Sequence, residues 1–177
     1  MATTVTSAGL LLYRFAPAES GDDPADGTAA GELQVLLGHM GGPFWMRKDD
    51  HAWSIPKGEY DPDEEDPAAV AIREFTEEMG SPPPGTADDD LDLGVVQQRG
   101  GRKTVRVWAR RGDFDPTTAT SNTFDLQWPP GSGKTKAFPE VDRVEWMTIE
   151  QARPRVVAAQ AEFLDRLVAA LDSPATR

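Results

Sequence analysis

The side chains with the most chemical potential lie between Trp53 and Gly80, in WSIPKGEYDPDEEDPAAVAIREFTEEMG. Glu74, Glu77 and Glu78 crowd carboxylates into one short run. On a helix advancing about 100° per residue they fall within about 100° of arc, close enough to repel one another. A solvated acidic face normally relieves such repulsion with interspersed lysines. Here no lysine lies between Gly58 and Gly80, and Arg73 is the one basic residue. The run is therefore either a bare acidic surface or an oxygen-donor site for a hard divalent cation, Mg²⁺ or Mn²⁺. The cation is favoured, because an apolar approach (Trp53-Ser54-Ile55-Pro56) and a glycine-containing loop lead into the helix. Glu74 and Glu78, one turn apart, suit a single ion. Glu77 sits further round, as a further ligand or as the base that activates water.

The element that must carry these groups has clear ends. Asp66 before Pro67 reads as an N-cap followed by proline at the first helical position. Gly80 before Ser81-Pro82-Pro83-Pro84-Gly85 reads as a stop. Between them Ala68, Ile72, Phe75 and Met79 form the stripe predicted to be buried, with the glutamates on the far side.

Gly58, Glu65 and Arg73-Glu74-Phe75-Thr76-Glu77-Glu78-Met79-Gly80 resemble the Nudix box, a glycine, a spaced glutamate and then R-E-apolar-x-E-E-x-G. One residue is inserted relative to the family spacing. Glu64 keeps the distance from Gly58 and Glu65 the distance to Arg73, and the insertion is placed in the loop because helix geometry cannot absorb it cheaply. Ser81 stands where an apolar residue is customary. The resemblance runs from Thr4 to Leu171 and implies the Nudix α/β/α sandwich with a mixed sheet. It also implies hydrolysis of a nucleoside diphosphate linked to another moiety, with Mg²⁺ (or Mn²⁺) held by the box.

On that footing the implied metal ligands are Glu74, Glu78, Glu77, the backbone carbonyl of Lys57, and Glu140. Glu140 resembles a downstream glutamate of many relatives, its alternative being a surface acid in a Pro-containing turn. Glu77, Glu74 and Arg73 make up the catalytic group, Arg73 by pairing with Glu65 to hold the loop against the helix. Pro56-Lys57-Gly58 resembles the corresponding segment of dinucleoside polyphosphate hydrolases and of MutT-type enzymes. A lysine there suits long phosphate chains, so the expected substrates are diadenosine polyphosphates or nucleoside triphosphates. Diphosphoinositol polyphosphates and nucleoside-diphosphate sugars are the alternatives, and a nucleotide sensor that does not cleave is the alternative of another class. Lys57, Arg47, Lys48 and His39 are the candidate substrate contacts, each weighed against an ordinary surface or loop role.

Composition narrows the setting. A chain of 177 residues can bury the core of one domain, taken as 1–177. The absence of cysteine removes disulfides and thiolate metal sites and suits a cytoplasmic protein. A net charge of −12 argues against nucleic acid as a general partner. No run of residues has membrane-spanning length, and monomer and homodimer are equally open. Taken in order, Thr4–Phe15 and Leu33–Leu37 read as antiparallel strands joined by a flexible insertion, Ala16–Gly31. Gly38–Asp50 reads as a loop, in which Phe44 and Trp45 either stack a base or, preferably, pack. Leu91–Gln98 and Thr104–Arg111 read as strands about a basic glycine turn whose Lys103 could add to a phosphate site, as could Lys134 and Lys136. Phe114–Gly133 reads as irregular, Val144–Met147 as a strand, Thr148 as a helix start, and Ala158–Leu171 as a C-terminal helix with a frayed tail after it. The elements together give an α+β class.

Overall fold

The structure, a computed structural model, describes residues 4–16 and 31–173. Its frame is β1 (Val5–Ala16), whose sequence VTSAGLLLYRFA is branched and apolar enough to be buried on both sides. Alternation along β1 divides the core. Ala8, Leu10 and Leu12 face one layer; Leu11 and Tyr13 face the other. Burial of each such large side chain contributes roughly 1.5–3 kcal/mol.

Five further strands complete the main sheet around β1 and β2 (Glu32–Met40). They are β3 (Trp53–Ser54), β4 (Lys57–Tyr60), β5 (Leu91–Gln98), β6 (Lys103–Arg111) and β9 (Val141–Thr148). The path runs β3-β2-β1-β6-β5, with β4 added to β1 and β9 added to β2. β1 and β6 are parallel and the other pairings antiparallel, so the sheet is mixed. Helix α1 (Pro67–Met79) packs on the Leu10 and Leu12 face; α2 (Ile149–Arg155) and α3 (Ala161–Asp172) cover the Leu11 face. The result is the expected sandwich.

Local signals were accurate where they were strong. The Asp66 carboxylate accepts a hydrogen bond from the Ala69 N–H at 3.0 Å, and Gly80, at φ 84°, closes α1 by donating to the Thr76 carbonyl. Thr148 and Gln151 form a reciprocal capping box at the start of α2. The strands at 91–98 and 103–111 lie where the sequence put them.

Several expectations change. The buried residues of α1 are Val70, Ala71, Phe75 and Met79, whereas Ala68 is exposed and Ile72 half-buried. The helix leans on β4 as well as on the sheet, which widens its covered arc to include Glu74 and Glu78. β2 continues through His39 and Met40, so that end of the supposed 38–50 loop is strand. The segment read as irregular contains β7 (Thr123–Gln127), which pairs with β8 (Thr135–Pro139) in a separate two-stranded sheet. The helix start at Thr148 and the C-terminal helix both form, as α2 and α3, but Ala158–Gln160 is a 3₁₀ turn ahead of α3. Ala16 pairs with Glu32, as expected at the base of a hairpin. The rest of the Ala16–Gly31 insertion, except Gly31, and all of the tail beyond Ser173 lie outside the described residues. No helix among the described residues is long and apolar enough to cross a membrane.

Candidate active site

Two glycines bring the box together. On β4, Lys57, Gly58 and Glu59 pair with Gly9, Ala8 and Ser7 of β1. A Cβ on Gly58 would lie 2.0 Å from the Glu74 Cδ, so only glycine lets the helix carboxylate rest on this strand. A Cβ on Gly9 would lie 2.6 Å from the Pro56 carbonyl oxygen. That close approach also lets the Leu10 N–H donate to the same carbonyl at 3.1 Å. From the other layer, buried Gln160 accepts from the Ile55 N–H at 2.9 Å and donates to Ser54 Oγ at 3.1 Å. The segment ahead of Lys57 is thereby fixed from both sides.

A cleft of about 330 Å³ opens here, lined among others by Ser7, Lys57, Glu74, Glu78, Lys103 and Glu140. Burial pushes the Glu78 carboxyl up to about 8, with Glu74 and Glu140 adding to the rise and Lys57 opposing it. Burial likewise raises Glu74, reinforced by Glu77 and Glu140. The Lys57 ammonium is pushed down by its own burial, against the attraction of Glu78. Among the described residues no three His, Cys, Asp or Glu side chains are already gathered tightly enough to cage a metal ion. The donor chemistry nevertheless fits one. All the acidic groups offer oxygen, burial and neighbouring carboxylates raise Glu74 and Glu78, and the cleft has room between them.

A stability prediction follows from Glu78. Its folded value exceeds the ordinary 4.5, so between roughly pH 4.5 and 8 the folded chain binds the extra proton. Stability contributed by that proton is present below the window and lost as pH rises through it. The Tm of metal-free protein should therefore fall across this window more steeply than that of Glu78→Gln, measured by thermal melts at matched ionic strength. Parallel Tm–pH curves would contradict the assignment.

The sequence profile of the NUDIX domain matches residues 28–167. The chain belongs to the Nudix family. Solved structures agree on the fold. The Ap4A hydrolase of C. elegans, as a binary complex, is 23% identical over 95% of this chain and 98% of its own, with a TM-score of 0.56. The NUDIX domain of Shewanella oneidensis NrtR, complexed with ADP ribose, is 13% identical over 97% and 90%, at 0.58. A mutT/nudix family protein from Listeria innocua is 15% identical over 97% and 96%, also at 0.58. A search of curated protein sequences finds no significant match. Family membership with every box glutamate in place makes the chain a Nudix pyrophosphohydrolase.

Against the Nudix box, the structure gathers some of the expected residues and separates others. Lys57, Glu74, Glu78 and Glu140 meet in the cleft. Arg73 pairs with Glu65, reaches Glu74 Oε1 at 3.2 Å and lies 4.0 Å from Glu77 Oε1, tying loop to helix. Placing the inserted residue ahead of Glu65 agrees with that pair. Glu77 is not among the cleft-lining residues, and its side chain is 43% exposed against 13% for Glu74. Arg47 and Lys48 are exposed and do not line the cleft; the Lys48 ammonium lies 5.1 Å over the Trp45 ring. Trp45 packs on the core, as preferred, but Phe44 is 58% exposed.

His39 departs furthest from expectation. It is fully buried, with Nδ1 2.6 Å from Asp142 Oδ1 and Nε2 2.6 Å from the Lys48 carbonyl oxygen, and its ring meets Trp53 edge-on. Both nitrogens are committed, so His39 braces β2 against β9 and the following loop and has no atom free for substrate. Ser7, Ser54 and Glu59 also line the cleft, and nothing in the sequence marked them. Their signal is strand register, which becomes readable only when β1, β4 and β6 are aligned.

Proposed function

We propose that this Nudix enzyme hydrolyses phosphoanhydride bonds in nucleotides with a polyphosphate bridge, diadenosine polyphosphates or nucleoside triphosphates, using Mg²⁺ or Mn²⁺. The observation that carries the proposal is the convergence of the Lys57 side chain with Glu74, Glu78 and Glu140 on one cleft. Glu74, Glu78, Glu140 and the Lys57 carbonyl would hold the cation. When bound, it supplies charge neutralisation at the phosphoryl oxygens. Glu77, exposed and next to Glu78 on α1, would take the proton of the attacking water as its oxygen bonds to phosphorus and the bridging P–O bond breaks. Arg73 keeps Glu74 and Glu77 oriented. The Lys57 ammonium faces the phosphate chain, where its attraction grows with the charge of the substrate. A cysteine-free acidic chain acting on free nucleotides suits the cytoplasm. That an Ap4A hydrolase and an ADP-ribose-binding domain share this fold supports a nucleotide in the cleft and leaves its identity to experiment.

The test is a panel of nucleotides with product identification, run on wild type and Lys57→Met. Diadenosine tetraphosphate or a nucleoside triphosphate should lead the panel. Lys57→Met should lower kcat/KM about tenfold or more for the tetraphosphate and less for ADP-ribose, since a charge-assisted contact is lost. The carbonyl of residue 57 survives the change, so metal binding should persist. Equal losses on both substrates would make Lys57 a support of the loop. A lead by nucleoside-diphosphate sugars or diphosphoinositol polyphosphates would replace the substrate assignment, and binding without hydrolysis would mark a sensor.

A further inference from the structure

Among the described residues, three buried side-chain polar atoms have no hydrogen-bond partner: Ser7 Oγ, Gln98 Nε2 and Arg106 Nε. Leaving such an atom unpaired costs stability, and in a native fold it calls for an explanation. Strand register supplies one for the first. Residues directly opposite across a ladder, and alternate residues along a strand, share a face of the sheet. Ser7 lies opposite Glu59 on one side and Val105 on the other. Lys103, two residues before Val105, lies opposite Gln98. Lys57 is two residues before Glu59. Gln98, Lys103, Ser7, Glu59 and Lys57 therefore occupy one face across four adjacent strands, the face on which Val105 and Val107 enter the core. Ser7, Glu59, Lys57 and Lys103 all line the cleft.

The chemistry of this row is one-sided. Where it lines the cleft it holds an unpaired hydroxyl that is only 2% exposed and two ammonium groups. The acid in the row, Glu59, accepts from Lys103 Nζ at 3.3 Å, but its side chain is 66% exposed and can turn to water when a stronger anion arrives. Ammonium groups repel a cation. The donors suit a tetrahedral anion with several acceptor oxygens.

We propose that Ser7 and Lys103, with Lys57, form a phosphoryl subsite beside the glutamate cluster, which holds the part of the phosphate chain remote from the bond being cleaved. This inference rests on the proposed polyphosphate-bridged substrate. It adds that chain length is read by the β4–β1–β6 face and not by the box glutamates. The orphaned hydroxyl is then a donor left waiting for its ligand.

The probe is inorganic tripolyphosphate, which carries the chain without a nucleoside, titrated calorimetrically into full-length protein in Mg²⁺ buffer. Lys103→Met should weaken its binding about tenfold or more, and Lys103→Arg should recover most of the loss. Ser7→Ala should weaken binding about threefold or more and yet raise the Tm of the ligand-free protein, because it deletes an unpaired buried hydroxyl. A merely structural serine would not produce that opposition. In kinetics with diadenosine tetraphosphate, the loss should appear mainly in KM. Unchanged tripolyphosphate affinity in folded Lys103→Met and Ser7→Ala, or no binding by wild type, would overturn the subsite. If the subsite binds tripolyphosphate but the panel yields no nucleotide hydrolysis, the proposed function fails alone. If nucleotides are hydrolysed and these variants bind like wild type, the subsite fails alone.

Discussion

Stripping divalent cations from the protein should abolish hydrolysis, and adding Mg²⁺ or Mn²⁺ should restore it. The expected effect is the largest available, because without a cation the cleft offers a phosphate chain its own negative charge. Glu74 and Glu78 are desolvated and repel each other and Glu140, which is why their carboxyls are raised. A divalent cation reverses that balance, pairing with the carboxylates and with phosphoryl oxygens together. The measurement is turnover after exhaustive chelation, followed by a Mg²⁺ titration, with Tm recorded alongside. Metal should raise Tm, since it binds the folded state alone. Undiminished turnover in rigorously metal-free protein would falsify this.

The second large effect separates ligand from base. Glu78→Gln and Glu77→Gln should each lower kcat by on the order of 10²-fold or more while leaving the fold intact. Their signatures should differ. Glu78 lines the cleft with Glu74 and Glu140, so its amide variant should lose most of the Mg²⁺-induced rise in Tm. Glu77 lies outside the cleft lining near Arg73, with 43% of its side chain exposed, so its variant should keep that rise and lose chemistry only. The pair of kinetic and thermal measurements decides between the roles. Near-wild-type turnover in folded Glu77→Gln would move the base to another carboxylate, with Glu74 next in line.

What the sequence determined by itself was whatever rests on neighbours along the chain. Asp66 and Pro67 can start a helix, and Gly80 can end one, through backbone geometry confined to a few residues. The box spacing survives an inserted residue because α1 fixes Arg73, Glu74, Glu77 and Glu78 relative to one another. The 91–98 and 103–111 strands carried their own alternation and their own turn. Family membership followed from the same local pattern.

Tertiary structure decided everything that depends on which strand lies beside which. By sequence His39 falls in a loop, Gly38–Asp50. Extension of β2 and its pairing with β9 bury it against Asp142 instead. The stripe of α1 shifted because Gly58 admits the Glu74 carboxylate to a contact that a single-helix projection cannot contain. β7 and β8 are short, with prolines between them at Pro129 and Pro130, and they become strands only through pairing with each other. Ser7 and Gln98 are unremarkable in the sequence and far apart along it. They share one face with Lys103 only because β1 and β6 run parallel while β5 runs against β6. Side-chain direction in a sheet has a period of two, so a single step of register would have turned these side chains to the opposite face.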